Sequence, residues 1–379
     1  MKIDELLKAA MEKGSSDLHL KVGVAPMARV HGSLAPLEKF PKITQEEAIS
    51  LAFSVMNPQQ KEKFKERCEI DFGYGAAGLG RFRVNVFQQR GTIGMVFRVI
   101  PTKILSVTDL LLPPIIEKLA SEHRGLILVT GTTGSGKSTT LAAMVDYINQ
   151  NQMVNIMTIE DPIEFLHRDK KGIVSQREIG HDTESFSVAL RSALRQDPDV
   201  ILVGEMRDFE TISTALTAAE TGHLVMSTLH TLDAVETINR IISVFPPYQQ
   251  KQVRLQLASV LRGIISQRLV PKADGRGRVP AVEILVATQT IREAIIDPEK
   301  TRRVHDVLAV GGTQYGMQTF DQSLYNLYKQ QLISYEEALK WTSNPEDFAL
   351  KVKGIQSTSE SWEESNDQAD GGKLQVDRF

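Results

Sequence analysis

Residues 131–138 read Gly131-Thr132-Thr133-Gly134-Ser135-Gly136-Lys137-Ser138, and they constrain the fold more than any other stretch. The octapeptide satisfies G-x-x-x-x-G-K-[ST]. Its glycines let consecutive backbone N–H groups curl around an anion, and a helix opening behind it offers an N-terminus that favours negative charge. The flanks fit the motif. Leu126-Ile127-Leu128-Val129 predicts a fully buried strand, and Leu141, Met144, Val145 and Ile148 recur at helical spacing over residues 137–149. Strand, glycine loop and helix in this order specify one βα unit of an α/β core. In such a unit Lys137 reaches the β- and γ-phosphates of a triphosphate and the Ser138 hydroxyl ligates Mg²⁺. Thr132, Thr133, Gly134, Ser135, Gly136 and Thr139 complete the predicted cradle.

A chain of 379 residues, 41% hydrophobic and 24% charged, has the material for two globular domains. Its net charge of −3 supplies no global attraction to nucleic acid. The single cysteine, Cys68, excludes an internal disulfide framework and any multi-cysteine zinc site. No apolar run approaches the length of a membrane span, so no transmembrane segment is expected. Met1-Lys2-Ile3-Asp4-Glu5 lacks the basic-then-apolar layout of a secretory signal, and the chain reads as cytoplasmic.

Residues 1–100 predict a small α+β domain. Ile3, Leu6, Leu7, Ala10 and Met11 mark an amphipathic helix ending at Gly14, and Leu18, Leu20 and Val22 alternate as in a strand. Thr44 with Glu47 is a capping box, and Asn57-Pro58 closes one helix and opens another. Arg81 to Phe87 and Ile93 to Val99 predict a hairpin with a turn over Gln88 to Gly91. Pairing Phe87 with Thr92 would put Arg81 opposite Arg98, leaving Arg81, Arg83 and Arg98 on one outward face. That face is either solvated or an arginine comb for phosphate across a subunit boundary. Residues 101–114 predict a short ordered linker.

From residue 115 buried strands and helices alternate, the pattern of a mostly parallel sheet. The strand over residues 155–159 runs into Glu160-Asp161-Pro162-Ile163-Glu164, three carboxylates where open α/β sheets hold ligands; one of them could activate water. Val200-Ile201-Leu202-Val203-Gly204-Glu205 has the shape of a Walker B strand, with Glu205 where most carry Asp. Residues 221–231 form a strand flanked by His223 and His230, without metal-ligand spacing, so phosphate sensing is favoured over zinc. Thr319 with Gln322, and Ser334 with Glu337, predict two further capping boxes, and Asn344-Pro345 opens another helix.

Together these elements resemble the bacterial secretion ATPase superfamily: residues 131–138 its Walker A motif, 159–164 its aspartate box, 203–208 its Walker B box and 221–231 its histidine box. Ser16-Asp17-Leu18-His19-Leu20, Gly80-Arg81-Phe82-Arg83-Val84-Asn85 and Phe97-Arg98-Val99 resemble its PAS-like N-terminal domain and arginine-bearing hairpin. The resemblance covers roughly residues 1–355. Within it, Gly316-Met317-Gln318-Thr319-Phe320-Asp321-Gln322-Ser323-Leu324-Tyr325 is similar to the type IV pilus retraction ATPases, the PilT/PilU family. No cysteine-bearing zinc insert, as in assembly and type II secretion ATPases, follows Gln267-Arg268-Leu269.

The resemblance implies an α/β fold: a PAS-like domain (1–100), a linker (101–114) and a RecA-like ATPase domain with C-terminal helices (115–356), assembled as a homohexameric ring; residues 357–379, polar with few apolar side chains, predict a disordered tail. It implies ATP and Mg²⁺ as cofactors, Lys137 and Ser138 on phosphate and metal, Glu164 as catalytic base and Glu205 beside the metal and its water. His230 and His223 would lie near the γ-phosphate, and Arg83 and Arg98 would act on a neighbouring subunit's nucleotide. The implied activity is ATP hydrolysis powering pilus retraction and twitching motility, docked on an inner-membrane pilus platform protein and with a paralogous retraction ATPase as a further partner. Thr290-Ile291-Arg292-Glu293-Ala294-Ile295-Ile296 departs from the PilT-type signature in carrying Ile296 for its second arginine. That departure and the polar tail keep open a PilU-like accessory ring with little hydrolysis of its own. Trp362 and the last six residues, from Leu374, are either a mobile end or a docking motif.

Overall fold

Alternation of Phe82, Val84 and Val86 with Arg81, Arg83 and Asn85 builds the central hairpin of an antiparallel sheet, because successive side chains of a strand point to opposite faces. The computed structural model describes residues 1–30, 32–101 and 103–354. The sheet comprises β1 (Asp17–Lys21), β2 (Met27–Val30), β3 (Ser33–Pro36), β4 (Glu69–Ala76), β5 (Gly80–Gln89) and β6 (Thr92–Val99), in the order β3-β2-β1-β6-β5-β4. Helices Ile3–Glu12 and Gln45–Val55 contribute Leu6, Leu7, Leu51 and Ala52 to a core shared with Phe82, Val84, Val86 and Phe97. The Thr44–Glu47 capping box is formed in both directions, and Asn57 caps helix Pro58–Arg67 through a second reciprocal box with Gln60.

The hairpin register differs from the sequence expectation. Arg90 and Gly91 both take positive φ (47° and 74°), closing a two-residue turn, so β5 runs on to Gln89. Phe87 therefore pairs with Gly94, and Arg83, not Arg81, lies opposite Arg98. A slip of two residues preserves the side-chain face, so Arg81, Arg83 and Arg98 remain on one side of the sheet.

The chain forms two units. The first comprises Met1–Val129 and Gly136–Leu229, and so includes the sheet just described. Its other strands are β7 (Gly125–Thr130), β8 (Asn155–Glu160), β9 (Ile173–Glu178), β10 (Val200–Val203) and β11 (Leu224–Leu229), in the order β7-β11-β10-β8-β9. β9, β8, β10 and β11 are parallel, as the alternation of strands and helices requires. Leu126, Ile127, Leu128 and Val129 are wholly buried, and helix Lys137–Asn151 buries Leu141, Met144, Val145 and Ile148.

The second unit comprises Thr130–Ser135 and the described residues from His230 onward. β12 (Leu261–Pro271) and β13 (Arg278–Val286) form an antiparallel hairpin through residues 272–277. Leu324, Leu327, Ala338 and Phe348 from three C-terminal helices pack on Val270, Val279 and Ala281 of that hairpin. Thr319 and Gln322 form the expected reciprocal box, whereas Ser334 caps Glu337 N alone. The Glu337 carboxylate instead accepts from Lys340 and Trp341, so the second expected box is half made. The tail expectation for residues 357–379 lies outside the described residues.

Candidate nucleotide site

The loop over residues 131–138 has the backbone that its glycines permit. Gly131, Gly134 and Gly136 take φ of 137°, 79° and 94°. At Gly131 a Cβ would lie 2.4 Å from the Gln267 carbonyl oxygen and 2.7 Å from Ser135 Oγ, so no larger residue fits. Gly136 immediately precedes helix Lys137–Asn151, and its carbonyl accepts the first bond of that helix, from Thr140 N at 3.0 Å. Ser135 Oγ is buried and has no hydrogen-bond partner. A buried hydroxyl without a partner is costly, and an anion in the loop would supply one.

Lys137, at the start of the helix, is 8% exposed. Burial lowers its pKa, opposed by the charges of Glu164 and Glu205, which both lie within electrostatic reach. The parallel topology explains the gathering: β8 and β10 pair in register and release residues 160–164 and Gly204-Glu205 at the same end. Gly204 N donates to Ile159 O at 2.8 Å, and Thr228 Oγ1 donates to Gly204 O at 2.7 Å, holding three strand ends together. The three acids of 160–164 differ. Glu160 is half-buried and raised in pKa by desolvation, and it accepts from Thr158 Oγ1 and Gln176 Nε2. Asp161 is also raised, by desolvation and then by Glu205 and Glu178. Glu164 is exposed, its N–H donating to Glu160 Oε2 at 3.4 Å. Glu205 lies 2.7 Å from Arg207 Nε.

The histidines part company. His230 follows the C-terminal end of β11, whereas His223 precedes its N-terminal end. The His223 carbonyl accepts from Gly125 N at the first residue of β7, and His223 Nδ1 lies 2.9 Å from Ala218 O. The length of β7, roughly 20 Å at about 3.3 Å per residue, separates it from the loop. The expectation that His223 neighbours the γ-phosphate is corrected: His223 stands at the N-terminal end of β11 and at the start of β7, whereas the loop follows the C-terminal end of β7.

Each arginine of the comb is held by a carboxylate of this chain. Arg83 bonds Asp71 at 2.6 Å and Arg98 bonds Asp17 at 2.9 Å. The Asp71 carboxylate raises the Arg83 pKa, and Glu164 and Asp161 add to it through their charge. Arg81 bonds Glu178 at 2.6 Å. Asp17, Asp71 and Glu178 escaped the sequence reading because most of their partners are remote along the chain; Glu178 and Arg81 are 97 residues apart. Only alternation could have placed Asp71 beside Arg83, through the pairing of β4 and β5.

The chain is similar to known proteins over most of its length. The model of the family "Type II/IV secretion system protein" matches residues 98–355. The type IV pilus retraction ATPase PilT of Pseudomonas aeruginosa is 48% identical over 348 residues, covering 92% of this chain and all of that protein. The type IV pilus ATPase PilU of the same organism is 45% identical, covering 93% of this chain and 92% of its own. A crystal structure of the pilus retraction motor PilT with bound ADP superposes with a TM-score of 0.84 at 50% identity, covering 92% of this chain and 98% of that one.

Proposed function

As the chain belongs to the type II/IV secretion system protein family, in its branch of pilus retraction ATPases, we propose that its ATP hydrolysis drives withdrawal of pilin subunits by a homohexameric ring docked on an inner-membrane platform protein. The observation that carries the mechanism is the convergence of Lys137, Glu164 and Glu205 at one end of parallel strands.

Residues 131–138 bind the phosphates through backbone N–H groups, and Lys137 balances charge on the outer phosphates. The exposed Glu164 accepts the proton of the attacking water, a role worth about 10²–10⁴ in rate. His230 reports on the γ-phosphate from the end of β11. Ser138 and, through water, Glu205 would hold Mg²⁺, which neutralises charge on the β- and γ-oxygens when bound. The buried, partnerless Ser135 hydroxyl fits a loop built for an anion. Arg83 and Arg98 would leave Asp71 and Asp17 to meet the phosphate of a neighbouring subunit. Arg81 stays with Glu178 of its own chain.

The test is steady-state turnover of purified Glu164→Gln and Lys137→Ala, with deletion in the host. Turnover should fall by about 10²-fold or more in both variants. Deletion should abolish twitching while pili persist or accumulate. Near-normal turnover of Glu164→Gln would remove the base assignment, and loss of pili would indicate assembly instead. The second reading, an accessory PilU-like ring, rests on Ile296, which is 43% exposed at the end of helix Gln289–Ile296. It requires little turnover by the parent protein alone.

A further inference from the structure

Glu178 closes β9 and is 1% exposed. Its carboxylate accepts from Gly73 N on β4 at 2.8 Å, from Arg81 Nη2 on β5 at 2.6 Å and from Ile163 N at 3.2 Å. Two of these donors belong to the N-terminal sheet, and the third is the backbone N–H immediately before Glu164. The site is built around the carboxylate. A Cβ on Gly73 would stand 2.6 Å from both Glu178 oxygens and 2.7 Å from Arg81 Nη2, so any larger residue must displace those side-chain ends. Asp182 fixes the backbone behind it, its Oδ2 accepting from Glu178 N at 2.8 Å.

We propose that Glu178 is a positioning residue that couples the N-terminal sheet to Glu164. The inference rests on the reading of Glu164 as base. A buried carboxylate with three donors has one low-energy placement, and that placement is shared by β4, β5 and residues 160–164. Displacement of the N-terminal sheet therefore draws on the same oxygens that hold Ile163 N, and moves the backbone that aims Glu164. A comb arginine that moves to a neighbour's phosphate shifts the sheet carrying it, and Glu178 relays that shift to the hydrolytic carboxylate.

The experiment compares full-length Glu178→Gln, Arg81→Gln and Gly73→Ala with the parent. Gly73→Ala displaces the carboxylate without changing any charge, and Arg81→Lys serves as the conservative rescue. Affinity for a fluorescent ADP analogue should stay within about twofold, while kcat falls about tenfold to a hundredfold in the first three and largely returns in Arg81→Lys. Parent-like kcat in all three beside an inactive Glu164→Gln would overturn the proposal and leave the base reading standing. Normal turnover of Glu164→Gln would instead remove the base reading itself. Should Glu178→Gln fail to fold, Arg81→Gln decides, because Arg81 is partly exposed and its loss removes one of the three donors that set the placement of the carboxylate. Nucleotide affinity lost in step with kcat in all three variants would make the contact purely structural and also overturn the proposal.

Discussion

Glu283 on β13 shows what a single buried carboxylate can report. It is 3% exposed and accepts from Ala234 N at 2.9 Å, at the start of helix Ala234–Ser243, the first helix after His230. Burial pushes its pKa up to about 7, with Asp233 adding to the rise and His305 and Arg268 opposing it. Below the unfolded value both states hold the proton and the contribution to stability is whole. Between that value and about 7 the unfolded chain ionises while the folded chain keeps its proton, so stability falls as pH rises. Glu283→Gln still accepts from Ala234 and has no proton to lose. Its urea midpoint should gain on the parent from pH 5 to pH 8, by a few kcal/mol in stability; an equal gap at both pH values would contradict this. At this scale the positions of the motifs, not the roles proposed for them, were legible: Lys137 and Ser138 stand in a glycine loop that local spacing marks, and Glu164 and Glu205 stand just past strands that it also marks. Glu178 and Glu283 were not, because Glu178 Oε1 and Gly73 N are 105 residues apart in sequence, and Glu283 and Ala234 are 49 apart.

At the scale of elements, caps were the most legible signal because a cap is settled within four residues. Thr44 Oγ1 accepts from Glu47 N at 3.2 Å and the Glu47 carboxylate accepts from Thr44 N at 3.0 Å. Thr44→Ala should cost about 1 kcal/mol and raise amide exchange over the first turn of Gln45–Val55. Ser334 marks the limit of such signals. The same spacing yields only half a box there, because Lys340 and Trp341 compete for the Glu337 carboxylate. The hairpin marks another. Alternation assigned the faces of β5 and β6 correctly but not their pairing, which the left-handed backbone of Arg90 and Gly91 decides. β4 and β9 escaped because Gly73 and Gly75 interrupt one, and the other is a polar strand at the end of the sheet order.

For the whole molecule the open question is which chain each arginine serves. Arg83 and its partner Asp71 are 40% and 39% exposed as side chains, so that pair can exchange a carboxylate for a phosphate at modest cost; Arg98 is 67% exposed, but its departure leaves the buried Asp17 to Ser16 and Arg29. If they act across a subunit boundary, Glu164→Gln and Arg98→Ala proteins should each be inactive alone and regain turnover when mixed. An Arg98 from the first would then complete a site with Glu164 of the second. An arginine finger contributes about 10³–10⁵ in rate, so even a minority of restored interfaces is measurable. No regain on mixing, with subunit exchange verified, would assign the arginines to their own chain.

By itself the sequence determined the loop, the strand and helix flanking it, and the carboxylates at two further strand ends. Each depends on neighbours a few residues away, and spacing records such neighbours. The tertiary structure alone decided the rest. Strand order and parallel direction brought Glu164 and Glu205 within electrostatic reach of Lys137 and left His223 at the opposite end of the strands. Sheet register set Arg83 opposite Arg98, and folding delivered Gly73, Arg81 and Ile163 to one buried carboxylate. Contacts of that kind join residues that chain connectivity leaves far apart, so no local pattern in the sequence encodes them.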